Sequence, residues 1–211
     1  RKGFNKAGGD STLSNTNNTP TEYTQKNSNM SVEEYYNRGV ERQNSKNYNG
    51  AISDFTNVIR ITPDFFPAYN NRGISKRRLN DTSGAISDYT IAIEINPNYA
   101  KAYSNRGNSK HNLKDFNGAI ADYNKAIELD PNYANAYNNR GLSKDDLKDY
   151  YGAISDYTKA IELYANYGKA YKNRSIAKKK LGDLNGACKD WEKAAELGDT
   201  DTAEWVANQC N

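Results

Sequence analysis

"AYNNRG" fills residues 68–73, and the phrase returns along the chain as "YYNRG" from 35, "AYSNRG" from 102, "AYNNRG" from 136 and "AYKNRS" from 170. Gly39, Gly73, Gly107 and Gly141 stand 34 residues apart, and Ser175 falls on the next beat. A second phrase keeps the same step: "GAISDF", "GAISDY", "GAIADY", "GAISDY" and "GACKDW" begin at Gly50, Gly84, Gly118, Gly152 and Gly186. Pro63, Pro97 and Pro131 close three units, with Ala165 and Asp199 in their place in the last two. A fixed period of this size marks a stack of identical supersecondary units, so the chain is read as five of them.

Each unit reads as two helices. Tyr69, Arg72, Gly73 and Lys76 share one face at helical spacing, and Ala85, Tyr89, Ala92 and Ile93 share another. "LNDTSG" between them reads as a turn, and Pro97 blocks continuation of the second helix. The glycine is costly inside a helix, by about 1 kcal/mol relative to Ala. Its return in every early unit predicts that two helices approach each other there too closely for a side chain.

Composition agrees with a thin, layered core. Apolar residues make up only 36% of the 211, mean hydropathy is -1.01, and tyrosine is abundant at 17. A net charge of +3 is too weak to argue for nucleic acid or an anionic membrane by itself. No apolar run is long enough to span a bilayer.

The pattern resembles the tetratricopeptide repeat (TPR) family: an aromatic at position 4 of each unit, Gly at 8, Ala at 20, an aromatic at 24, Ala at 27 and Pro at 32. The resemblance covers roughly residues 32–201, in units 32–65, 66–99, 100–133, 134–167 and 168–201. It implies an all-α fold, a right-handed superhelical solenoid of antiparallel helix pairs. The departures are local. Position 7 holds Arg where the family usually has Leu, and position 11 holds Arg42, Lys76, Lys110, Lys144 or Lys178 where an aromatic is usual.

Arg38, Arg72, Arg106, Arg140 and Arg174 repeat in phase with Asp54, Asp88, Asp122, Asp156 and Asp190. They are expected to form ion pairs, within or between units, that hold the register of the stack. Asn37, Asn71, Asn105, Asn139 and Asn173 precede those arginines. The resemblance places position 6 on the concave surface, with positions 2, 5, 9, 12 and 13. An asparagine row there resembles the ladders with which some TPR proteins hold an extended peptide. The chemistry suits it, because an Asn amide both donates and accepts, as a peptide group does.

The remaining groove positions carry Asn108, Lys101, Lys169 and Lys172, together with Arg77-Arg78, His111, Asp145-Asp146 and Lys179-Lys180. They form charge zones that select a complementary ligand. Tyr36, Val40, Ile74, Leu142 and Ile176 add apolar contacts. Some relatives clamp a C-terminal carboxylate with Lys, Asn, Asn, Lys and Arg. Asn108, Asn139 and Lys169 match three of those places, but Ser104 and Asn173 stand where Lys and Arg are required, so no such clamp is expected.

The ends differ from the middle. Residues 1–30 are rich in Asn, Thr, Ser and Gly and read as a flexible leader. "SVEE" at 31–34 is a capping-box start. Residues 202–211 read as a capping helix, with Ala203, Val206, Ala207 and Cys210 at helical spacing and Trp205 nearby. Cys188 and Cys210 are the only cysteines, and each lies eleven residues from a turn near Asp199. Antiparallel helices bring them level, so a disulfide is expected ahead of two buried thiols. A disulfide favours an exported location, and free thiols favour the cytoplasm.

These features argue against an enzyme. The single histidine, His111, has no acidic partner at motif spacing, two lone cysteines make no metal motif, and no phosphate-binding glycine loop occurs. No cofactor, metal or small-molecule substrate is expected. The expected function is a protein-interaction scaffold that binds an extended peptide or protein segment, in assembly or maturation of a larger complex. Self-association is the alternative. Single-stranded RNA binding ranks lower, because the regular arginines are matched by aspartates.

Overall fold

The computed structural model describes residues 30–210. Among these residues the secondary structure is entirely helical. Eleven helices follow one another: α1 (Val32–Asn44), α2 (Tyr48–Ile61), α3 (Phe66–Arg78), α4 (Thr82–Ile95), α5 (Ala100–Asn112), α6 (Phe116–Leu129), α7 (Ala134–Asp146), α8 (Tyr150–Leu163), α9 (Gly168–Lys180), α10 (Leu184–Glu196) and α11 (Thr200–Gln209). Each packs against the next in sequence, and α1, α3, α5, α7 and α9 also touch in series. The result is an α-solenoid of helix pairs. The leader expected over residues 1–30 lies, apart from Met30, outside the described residues.

Local chemistry sets the helix ends. Asp81, Asp115, Asp149 and Asp183 cap α4, α6, α8 and α10 by accepting the backbone N–H of Gly84, Gly118, Gly152 and Gly186, and Asn47 does the same for Gly50. A Cβ on Gly118 would lie 2.1 Å from the Asp115 carboxylate, which is why this beat is glycine. The turn expected at "LNDTSG" is therefore shorter, since α4 already begins at Thr82. Pro97 follows the end of α4 at Ile95, as expected.

The core is a column of identical layers. Ala85, Ala119, Ala153 and Ala187 are fully buried, as are Tyr89, Tyr123, Tyr157 and Trp191 to within 1% exposure. The three tyrosines set a ring edge against the position-8 glycine of the partner helix, Gly73, Gly107 or Gly141. A Cβ on Gly107 would stand 2.8 Å from Cε1 of Tyr123, and one on Gly141 2.7 Å from Tyr157. The propensity lost at the glycine is offset by burying a whole ring, worth roughly 1.5–3 kcal/mol.

The last helix differs in rotation from the expected one. Its inward stripe is Thr202, Trp205, Val206 and Gln209, while Ala203 and Ala207 are exposed. Trp205, the largest apolar side chain of α11, sets the rotation by packing edge-on against Trp191, with ring centroids 5.6 Å apart. The helix also begins at Thr200, inside the span expected for the fifth repeat, because Asp199 caps it through the Thr202 N–H. Cys188 and Cys210 form the expected disulfide, joining α10 to α11 across Cα atoms 5.7 Å apart.

Candidate functional site

The in-phase Arg and Asp side chains meet within each unit. Arg106 Nε and Nη2 donate to Asp122 Oδ2 and Oδ1 at 2.9 and 2.7 Å, and the other four pairs repeat this two-pronged geometry. The remaining Nη1 reaches back to the preceding unit: Arg72 to Thr56, Arg106 to Thr90, Arg140 to Asn124 and Arg174 to Thr158. Each of these four guanidinium groups therefore ties its own second helix and the one before it. The arginines also lie over the ring three residues upstream, 5.4–5.6 Å from Tyr35, Tyr69, Tyr103, Tyr137 and Tyr171.

The aspartates are buried, and each takes a second cation. Arg42, Lys76, Lys110, Lys144 and Lys178 bond Asp54, Asp88, Asp122, Asp156 and Asp190 at 2.8–2.9 Å. The basic residue at position 11 thus completes a cation–anion–cation set. Its spacing, one turn beyond the arginine, was the signal for this role. Burial alone would make a lone carboxylate there costly, and two partners offset that cost.

The asparagine row lies on the face formed by the first helices of the units. Asn71, Asn105, Asn139 and Asn173 are half-buried, and Asn37 is exposed. Each of the four donates one Nδ2 proton to the preceding unit. Asn71 bonds Tyr36 Oη at 2.9 Å, Asn105 bonds Asn70 Oδ1 at 2.9 Å, and Asn173 bonds Asn138 Oδ1 at 3.0 Å. In each case the acceptor is at position 5 of the unit before. In the third unit that position is Ser104, a shorter side chain, and Asn139 bonds Asn108 Oδ1 instead, at 2.8 Å. Asn108 also accepts from Tyr123 Oη at 2.8 Å. The row is thus a set of inter-unit struts. An Asn amide has two N–H groups, so one donor per residue remains beyond the strut.

The charged groove positions are less independent than their sequence suggests. Lys180 bonds Asp145 Oδ2 at 2.5 Å, so the acidic and basic zones partly neutralise each other. Lys172 is drawn to α11, bonding Asp201 at 2.6 Å and Asp199 at 3.1 Å, with Trp205 beneath it at 5.3 Å. It ties α9 to the cap. The Asp201 bond chiefly raises the Lys172 pKa. Burial pushes Asp199 up, but the Thr202 N–H and Lys172 outweigh it and leave that carboxyl below its usual value. Lys101, Lys169 and Arg78 are exposed.

Among the described residues four buried polar atoms have no hydrogen-bond partner: Arg77 Nε, Tyr89 Oη, Asp145 Oδ1 and Trp191 Nε1. Burial raises the Tyr89 hydroxyl to about 12, against the opposing pull of the Arg77 guanidinium. Tyr36, Val40, Ile74, Leu142 and Ile176 are half-buried on the same helices.

His111 does have an acidic neighbour. Its Nε2 lies 3.5 Å from Asp146 Oδ2 and its Nδ1 2.9 Å from Ser143 Oγ, both on the following unit. Sequence spacing concealed this because the contacts cross a unit boundary. The trio does not make a hydrolytic site: Ser143 is fully buried and its hydroxyl donates to Asn139 O at 3.3 Å. Gln43 makes the corresponding bond to Ser75 at 2.8 Å, which marks the position as another inter-unit link. Among the described residues no cluster of His, Cys, Asp and Glu fits a metal ion, and no helix is long and apolar enough to cross a membrane.

Three models of the Tetratricopeptide repeat family match the chain, at residues 66–99, 100–133 and 122–154. No curated protein matches the sequence. Among solved structures, a MamA protein is similar at 23% identity and TM-score 0.68, over 82% of this chain and 94% of its own. MamA from Desulfovibrio magneticus RS-1 is similar at 19% identity and TM-score 0.71, over 80% and 97%. A thermophilic TPR protein of Thermus thermophilus is similar at 18% identity and TM-score 0.70, over 85% and 99%. At these identities the likeness is one of fold.

Proposed function

The chain is a tetratricopeptide repeat protein, and from that premise we propose that it is a scaffold whose concave face holds an extended segment of another protein. Such repeats serve in general as protein-interaction modules and not as catalysts. The observation that carries the reading is the row Asn71, Asn105, Asn139 and Asn173. Each amide is oriented by one bond to the preceding unit and keeps a second N–H. Pre-orientation of these donors reduces the entropy lost on binding. The half-buried Ile74, Leu142 and Ile176 supply the apolar surface that a bound segment would cover. A role in assembling or maturing a larger complex is what the TPR resemblance implies for such a scaffold.

The test uses peptides selected from a random displayed library on the immobilised protein. Their affinity is measured for wild type and for Asn105→Ala/Asn139→Ala, with thermal melts to confirm folding. We expect at least a tenfold loss, equivalent to about 1.4 kcal/mol. Equal affinities in two folded proteins would overturn the reading and leave the row with its strut role alone.

A further inference from the structure

At the end of the array, α9, α10 and α11 line a half-open cavity of about 400 Å³. It is lined by Ile176, Lys179, Lys180, Trp191, Trp205 and Gln209. Both tryptophans of the chain stand in it, their rings edge-on. Trp191 is 1% exposed, and its Nε1–H is buried without an acceptor. The three nearby lysines are not equivalent. Lys172 is held by Asp199 and Asp201, and Lys180 by Asp145. Lys179 has only the neutral Gln209 Oε1, at 2.6 Å, and among the described residues it makes no ion pair. Its ammonium lies 5.6 Å from the centre of the Trp191 ring.

We infer that this cavity takes an extended acidic segment of the partner protein, with a bulky apolar side chain on Trp205 and Ile176 and a carboxylate on Lys179. The proposal rests on the concave-face reading, of which this cavity is the C-terminal end. Charge complementarity selects a carboxylate, because among the described residues the Lys179 ammonium is bonded only to a neutral amide. Lys179, Trp205 and Ile176 line the same pocket, so both ligand side chains leave one side of the bound chain. In an extended chain the nearest side chains on one side are two residues apart, about 6.6 Å from each other. The matching segment is therefore an aromatic or large aliphatic residue followed two positions later by Asp or Glu.

The two tryptophans report on the cavity directly, so the test is a fluorescence titration of the full chain. The probe is a short peptide, acetyl-Gly-Phe-Ser-Glu-Gly-amide, whose blocked ends remove any chain-terminal carboxylate. We expect a saturable change in tryptophan emission. Replacing the probe's Glu with Gln should weaken binding to wild type about fivefold and make no difference to Lys179→Met, since the contact is then already lost. An equal loss in both proteins, no saturable change, or binding only by a probe with a free C-terminus would each overturn the inference. The Asn105→Ala/Asn139→Ala protein should bind this short probe as wild type does. If it does, and longer selected peptides also ignore that double substitution, the asparagine-ladder reading fails while the cavity stands.

Discussion

Arg106 holds Asp122 with two prongs of its guanidinium, at 2.9 and 2.7 Å, while Lys110 takes the second side of the same carboxylate at 2.9 Å. The Asp122 side chain is 5% exposed. Removing it leaves two cations at a buried position without their anion. Asp122→Ala should cost about 3–5 kcal/mol, measured by urea unfolding. Arg106→Leu should also destabilise, yet leave the affinity of a bound peptide unchanged, because the guanidinium is spent on Asp122 and Thr90. A loss of affinity in a folded Arg106→Leu protein would move the arginines into the binding site.

Gly107 and Tyr123 make a second, purely steric relationship. Gly107→Ala puts a methyl 2.8 Å from the ring edge, and the ring is fully packed. The ring must shift and its bond from Oη to Asn108 with it. We expect a loss of about 1–3 kcal/mol by thermal or urea unfolding, despite the better helix propensity of Ala.

The buried phenols predict alkaline weakness. Burial raises Tyr89 from 10.0 to about 12. Tyr123 and Tyr157 are pushed further up by burial, with Asp122 adding to the first and Asp145, Asp146 and Asp156 to the second. A raised folded value means that stability is fully present below about pH 10 and is lost as pH rises toward the folded pKa. Above about pH 10 the unfolded chain releases these protons first. Each phenol then lowers stability by about 1.4 kcal/mol per pH unit. Ultraviolet titration should show most of the 17 tyrosines ionising gradually and these three only with unfolding.

The disulfide closes a segment with a sequence separation of 22 between α10 and α11. Reduction, or Cys188→Ser with Cys210→Ser, should cost roughly 2–4 kcal/mol of cap stability. Amide exchange over residues 200–209 should then rise by about 30-fold or more, with the first four units little affected. Unchanged exchange would assign the hold on α11 to Trp205 and Lys172 alone.

What was legible in the sequence was what a fixed period makes local. The helix pairs, the packing glycines, the Arg–Asp pairing and the level of Cys188 with Cys210 all follow from counting along the chain. What escaped depends on neighbours one unit away. Ser104 is too short to accept from Asn139, and only the fold brings Asn108 into its place. His111 finds Asp146 across the same kind of boundary. The rotation of α11 follows Trp205 meeting Trp191, which outweighs the weaker preference of Ala203 and Ala207 for burial. The two carboxylates that bond Lys172 come from the start of α11, a contact that no spacing within its own unit signals.

We propose that the asparagine amides hold a peptide backbone with the N–H that the struts leave over. Side-chain amide resonances of assigned, isotope-labelled protein report on it directly during titration with a selected peptide. Saturable shifts of the Asn71, Asn105, Asn139 and Asn173 Nδ2–H signals with a common affinity are expected. Binding that leaves those signals in place would contradict the proposal.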